Sequence, residues 1–422
     1  MRFIKEHPLF KYILHVKGNP KTLILIEPLW GIPYNLIAPF ITLYMYAFGV
    51  TDVQIGLMLS IATAVKVIIA FLGGNIADKL GRKTTVVLCD FLGWTLACAL
   101  WAVSRNFWMF LAASLINSIE QTNIVAWQCL LVEDAEEKDI VTIYTWITIA
   151  GLMAAFFAPL SGLLIDRHSL VPVIRVLYAV FALTMLCKSL ITLKFTRETK
   201  QGLLRKAQTK GVPLSAMLKE YRRILPLLFR TADTVRILVV FILLSASGMV
   251  TATFFGLYAN LNLGIAQSNL TLFPLMKAAV MLFFFFGLAR LTERYHIKKL
   301  VLLGLAFYVL ALAWLIFDTG GMRPAILFTL LESAAISLVM PRKDALLVMG
   351  IDKKERARLL SVVTAFSLAC SSPFGYVAGW LSSINRIYPF ILAALLYTVC
   401  AVIMVHYGKT PQPVLTPGPV DT

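Results

Sequence analysis

The chain has 422 residues, of which 59% are hydrophobic and only 14% charged, with a formal net charge of +17. Soluble domains keep about a quarter of their residues charged, so the composition excludes an ordinary soluble fold and points to an all-α membrane protein. The positive excess suggests nucleic acid in a soluble protein, but here membrane topology accounts for it, and no nucleic-acid partner is expected.

Apolar runs long enough to cross about 30 Å of hydrocarbon recur along the whole chain. Twelve are predicted as transmembrane helices, at roughly 22–47, 52–77, 84–104, 107–132, 141–165, 171–193, 237–262, 268–289, 300–317, 324–349, 359–382 and 388–407. With odd-numbered helices starting inside, 31 of the 39 Lys and Arg fall on one side, 11 of them in loop 6–7. Arg105, Arg167, Arg323 and Arg386 fall on the other side. The positive-inside rule then puts both termini in the cytoplasm, with a plasma-membrane location. The predicted organisation is a cytoplasmic segment 1–20, a six-helix bundle 21–193, a basic linker 194–236, a second six-helix bundle 237–407 and a proline-rich disordered tail 408–422.

Residues 1–20 are basic and broken by Pro8 and Pro20, and the first apolar run is too long for a signal core, so no cleavable signal is expected. Predicted helix 1 carries "IEPLWGIPYNLIAP", whose prolines free backbone carbonyls and bend the helix. Trp30, Tyr34 and Asn35 are candidate cavity contacts there. Glu27 lies about two turns from the cytoplasmic end, where facing water competes with a cavity role. Lys66 falls near the middle of helix 2.

Helix 4 holds "NSIEQTNIVAWQ" inside an apolar run. Asn117, Gln121 and Gln128 share one face, and Glu120, Asn123 and Trp127 an adjoining strip. Glu120 is close to mid-membrane, where an ionisable group is by default a functional candidate. The loop "EDAEEKD" follows, to be paired with the basic linker or solvated. Lys188 and Arg175, at the inner and outer ends of helix 6, are expected to snorkel. The linker segment "PLSAMLKEYRRILPLLFR" reads either as an amphipathic helix on the inner leaflet or as a flexible connection. Tyr258 on helix 7 is a candidate cavity contact, Lys277 lies near the middle of helix 8, and Glu332 in the outer half of helix 10. The six cysteines show no CxxC spacing, so neither a disulfide framework nor a metal site is expected.

The halves echo each other. Setting Asp78 on Glu293 puts Lys79 on Arg294 and Lys83 on Lys298, an offset of 215. "QCLLV" and "DALLV" repeat at 216, and "APLSG" and "SPFGY" at 214. Lys277 and Glu332 each lie four residues before the repeat equivalents of Lys66 and Glu120, about one helical turn. Two Lys–Glu pairs are therefore expected, Lys66–Glu120 and Lys277–Glu332.

The loop 2–3 sequence Gly74-x-x-x-Asp78-Lys79-x-Gly81-Arg82-Lys83 matches the signature of the major facilitator superfamily at every specified position. With twelve helices, a basic central loop and a repeat, the chain resembles that superfamily over about 21–407. The resemblance implies two pseudo-symmetric six-helix bundles, a central cavity lined by helices 1, 4, 7 and 10, and transport by alternating access. It also implies that the loop 2–3 cluster latches the halves on the cytoplasmic side. The second copy, Glu293, Arg294 and Lys298, is degenerate, with Ala289 and His296 in place of the glycines. "GLMAAFFAPLSG" resembles the family's helix 5 antiporter motif at Pro159 and Gly162, with alanines at the other glycine positions.

The sequence thus predicts a non-enzymatic transporter of a small organic solute, coupled to a proton gradient without a cofactor and acting as a monomer in the bilayer. Efflux by antiport is preferred, with proton-coupled uptake or lysolipid flipping as alternatives. No HExxH, no GxSxG in a strand–turn–helix setting and no P-loop supports an enzyme or an ATP-driven pump.

Overall fold

A computed structural model describes residues 16–211, 232–288, 295, 297–318, 320–349 and 356–406, and the regular elements among them are helical. The amphipathic linker segment and the tail lie outside the described residues.

Helix α1 runs in pieces, Asn19–Ile26, Pro28–Ile37, a 3₁₀ turn Ala38–Phe40 and Ile41–Tyr46. Pro28, Pro33 and Pro39 each lack an N–H and crowd the carbonyl a turn earlier, which interrupts the helical ladder. Helix α2, Asp52–Leu80, is continuous. Helix α3 passes from Arg82–Asp90 through a π turn at Phe91–Leu96 to Ala97–Val103. Helix α4 comprises Phe107–Asn117 and Glu120–Val132, with a break at Ser118 and Ile119. Helix α5 is likewise split into Glu137–Ala155 and Pro159–His168, the second piece opening on the proline of the helix 5 motif. Then follow α6 (Leu170–Phe195), α7 (Ala232–Leu261), α8 (Leu272–Phe283, continued by a π turn Phe284–Leu288), α9 (Ile297–Phe317), α10 (Met322–Met349), α11 (Arg356–Ile384) and α12 (Tyr388–Val405).

Eleven stretches among the described residues are long and apolar enough to span a membrane. The run 107–132 is not among them, because its centre from Asn117 to Asn123 is polar. It supplies the twelfth helix of the fold.

The chain forms two compact units, the described parts of Met1–Phe48 with Leu72–Leu214, and of Gly49–Phe71 with Ser215–Thr422. Helix association in lipid depends on close packing and polar contacts more than on hydrophobic transfer. In the first unit a core of Leu23, Ile26, Ala77, Val86, Ala126 and Leu130 joins α1 to α4. A Cβ placed on Gly31 would lie 3.0 Å from Ala154 Cβ, and one on Gly73 would lie 3.1 Å from Thr122 Cα.

In the second unit the first part of α2 packs on α11 through Gly56, Gly375 and Gly379, where a Cβ on Gly379 would lie 2.6 Å from the Asp52 carbonyl oxygen. Ser60 donates to the Ser372 carbonyl (2.5 Å), Ser372 donates back to the Ser60 carbonyl (2.7 Å), and the Tyr376 N–H donates to Ser60 Oγ (2.7 Å). At the end of this contact Asp52 Oδ2 accepts from Ser382 (2.7 Å) and faces Arg386 Nε (3.4 Å). The predicted bundle 21–193 holds all of α2, whereas this small-residue packing joins Gly49–Phe71 to the second unit.

Candidate functional site

The loop 2–3 signature forms a tight turn between α2 and α3. Gly81 has φ +94°, a left-handed conformation that favours glycine, and a Cβ there would collide with the Glu198 carboxylate. That carboxylate accepts from the backbone N–H of Arg82 (2.8 Å) and Lys83 (3.1 Å), covering the positive N-terminus of α3. Arg82 is buried between Asp78 (2.7 Å) and Glu133 (3.2 Å). Gly74 and the side chains of Lys79 and Lys83 are half-buried around it.

The start of the linker is folded onto this turn. Thr199 donates to Glu133 Oε2 (2.5 Å) and caps the short helix Lys200–Gln208 by accepting from the Gly202 N–H (2.9 Å). Asp134 accepts the Lys200 N–H (3.2 Å), Thr209 donates to the Asp78 carbonyl (3.2 Å), and Asn19 exchanges two 2.8 Å bonds with the Arg197 backbone. Glu133 and Asp134 of the acidic loop thus engage Arg82 and the linker's backbone and hydroxyl groups. In the second half Glu293 and Arg294 lie outside the described residues, while Lys298 donates to the Val405 carbonyl (2.8 Å). In α5, Pro159 opens the second piece and Gly162 is buried within it.

Deep in the first unit, Glu27 stands at the break in α1, 9% exposed, with Lys188 Nζ 3.4 Å from its carboxylate. Two expectations are corrected here. Lys188 does not snorkel, since it is only 5% exposed, and Glu27 does not face water. The break in α1 brings a buried carboxylate within reach of the four-carbon lysine stem, and the two charges compensate each other. Arg175 lies over the Phe48 ring (5.1 Å) and donates to the Ser104 carbonyl (3.4 Å).

Asp90 of α3 is the residue that sequence reasoning missed. It is 1% exposed and accepts from Asn123 Nδ2 at 2.6 Å. Its signal is plain in retrospect, as the sole acidic residue of the predicted run 84–104.

The polar stretch of α4 is used mainly for helix packing. Asn117 Nδ2 donates to the Gly93 carbonyl (2.8 Å) in the π turn of α3, and a Cβ on Gly93 would lie 3.1 Å from the Glu120 backbone nitrogen. The α4 break and the α3 π turn are therefore seated on one another. Thr122 packs on Gly73, Asn123 serves Asp90, and Trp127 joins the core of α1 and α4. Glu120 and Gln121 are half-buried, and Gln128 is exposed. Trp30 stacks on Tyr34 (5.0 Å) and meets Trp94 edge-on (5.8 Å), with Tyr34 exposed. Asn35 bonds back to the Gly31 carbonyl of its own helix (2.8 Å). Glu120 acts electrostatically on both Tyr34 and Asp90.

In the second unit Lys277 Nζ lies 2.8 Å from Glu332 Oε2, bringing together the pair expected from the repeat. The lysine side chain is 38% exposed and the glutamate 11%. Glu332 also acts on Tyr308 and Tyr397, which stack at 4.2 Å. Lys66 belongs to the second unit and Glu120 to the first. Tyr258, expected at the cavity, is 2% exposed instead, with its hydroxyl donating to the Leu315 carbonyl (3.3 Å) and its ring against Phe390 (4.9 Å). Its hydroxyl finds a partner inside the bundle, so the whole ring is drawn into the packing.

Comparison with known proteins agrees with this architecture. The chain is 26% identical over 348 residues to "Multidrug resistance protein MdtG" of Citrobacter koseri, covering 80% of this chain and 82% of that protein. It is 29% identical over 143 residues to "Uncharacterized MFS-type transporter YqjV" of Bacillus subtilis, covering 33% of this chain and 35% of that one. Among solved structures, a mutant form of the nucleoside transporter NupG superposes with TM-score 0.74 at 16% identity, covering 93% of this chain and all of that one. The family model "Major Facilitator Superfamily" matches residues 29–341. With its signature turn and paired intramembrane charges, the chain belongs to the Major Facilitator Superfamily of membrane transporters.

Proposed function

We propose that this protein exports small organic solutes across the plasma membrane in exchange for protons, as a monomer with both termini in the cytoplasm and no cofactor. The observation that carries the reading is the Lys277–Glu332 pair, a nearly buried carboxylate held by a partly exposed ammonium. A proton on Glu332 removes the attraction and frees Lys277, whereas loss of that proton restores the pair, so protonation and helix contact are linked. Glu120 and Lys66 are the first-half candidates for the same role. The likeness to a protein named for multidrug resistance supports export over uptake.

The test uses purified protein in liposomes with a fluorescent organic cation such as ethidium. Export should follow an imposed pH gradient and collapse with a protonophore, and Glu332→Gln should abolish its pH dependence. Gradient-independent flux, flux in the proton's direction, or lysolipid movement in place of dye would overturn the reading. So would unchanged pH dependence in both Glu120→Gln and Glu332→Gln.

A further inference from the structure

The geometry around Asp90 points to a proton-binding site inside the first unit, separate from Glu120 and Glu332: we propose that Asp90 binds a proton and shares it with the Asn123 carboxamide. Asp90 is 1% exposed, and only one of its oxygens is used, Oδ1 accepting from Asn123 Nδ2 at 2.6 Å. Two buried oxygens of the same pair are left over, Asp90 Oδ2 and Asn123 Oδ1. Both are acceptors if Asp90 is ionised, so neither can satisfy the other. If Asp90 is protonated on Oδ2, its O–H is a donor and the Asn123 carbonyl oxygen is the matching acceptor. A carboxylic acid and a carboxamide can form two complementary hydrogen bonds, of which Asn123 Nδ2 to Asp90 Oδ1 is one. Leaving a buried polar atom unsatisfied is unfavourable by about 1–3 kcal/mol, so the proton resolves two such atoms at once.

The charges around Asp90 come from three other helices. Lys188 of α6 and Glu27 of α1 form one ion pair, Glu120 of α4 acts from a third side, and Cys89 is the neighbour on α3 itself. Lys188 is already held by Glu27, so an ionised Asp90 adds a second buried carboxylate to a site with one ammonium. That imbalance favours the neutral acid. The same ammonium disfavours a sodium ion, because a second cation would sit beside it. On deprotonation Asn123 must turn both its donors to Asp90, or Lys188 must be shared between two carboxylates. Either change alters the contacts of α3 with α4 and α6.

Its role in coupling rests on the proposed proton exchange, whereas the bound proton does not. Infrared difference spectra of the full chain in lipid nanodiscs, taken between acid and alkaline pH without solute or gradient, read the proton directly. A titrating carboxylic C=O band should be present in the wild type, lost in Asp90→Asn, and kept in Glu27→Gln and Glu120→Gln. Asn123→Leu, which removes the donor to the acid carbonyl, should shift the band to higher frequency. Absence of the band in the wild type, or its survival in Asp90→Asn, overturns the proposal. So does its loss on adding sodium at constant pH and ionic strength. If Asp90→Asn does not fold, an unshifted band in Asn123→Leu overturns it. Dye flux without proton coupling sinks the export reading alone, and an absent band with intact coupling sinks this site alone.

Discussion

In the first unit, Glu27 and Lys188 bury their charges between helices α1 and α6, each less than a tenth exposed, with Asp90 close by. In the second, Glu332 is comparably buried but Lys277 keeps 38% of its side chain exposed. The first pair is formed across a proline break and holds helices together. The second can open by moving one lysine a short way. Two ion pairs of the same chemistry thus differ in what removing a partner does. Loss of the carboxylate leaves Lys188 buried in the first pair, whereas in the second it leaves a Lys277 that water can partly solvate.

The largest expected effect is on the first pair. Lys188→Met strands the Glu27 carboxylate and should destabilise the protein by about 3–5 kcal/mol, read as loss of monodisperse protein in a detergent thermal-stability assay. Glu27→Gln together with Lys188→Met removes both charges and should recover most of that loss. A double variant no better than the single one breaks the comparison, because the charge pair would then not be the source of the effect.

Next in size is the signature turn of the first unit. Gly81→Ala places a side chain at φ +94° and against the Glu198 carboxylate, with an expected loss of about 1–2 kcal/mol. Protease cleavage near Lys200–Gln208 should rise in that variant, since the linker helix hangs on the same carboxylates. Unchanged cleavage separates the turn from the linker.

The smallest stability effect belongs to the second pair. Glu332→Gln leaves the partly exposed Lys277 and should change stability by less than about 1 kcal/mol after allowance for solvent screening, while abolishing the pH dependence of transport. A loss as large as that of Lys188→Met erases the difference between the units.

Much of the fold was legible in sequence because lipid imposes a simple rule. Backbone polar groups must be satisfied within each span, so length and hydropathy reveal helices, and Lys and Arg reveal the cytoplasmic side. The Lys277–Glu332 pair was legible too, because a helical repeat fixes height in the membrane. The burial of Asp90 is not legible because it lies near the end of its predicted span, where a charge can also meet water, and that of Lys188 because a long stem can reach inward or outward with equal ease.

By itself the sequence determined the helices and the signature turn, which depend on local composition and spacing. Only the tertiary structure decided how the polar groups are used. Asn117 and Asn123 look like cavity residues in a helical projection, yet they bond to Gly93 and Asp90 of α3. Tyr258 reads as a cavity contact on helix 7, yet its hydroxyl donates to the Leu315 carbonyl inside the bundle. A polar group in lipid must find a partner, and which partner it finds depends on the rotation and breaks of neighbouring helices, which no one-dimensional pattern records.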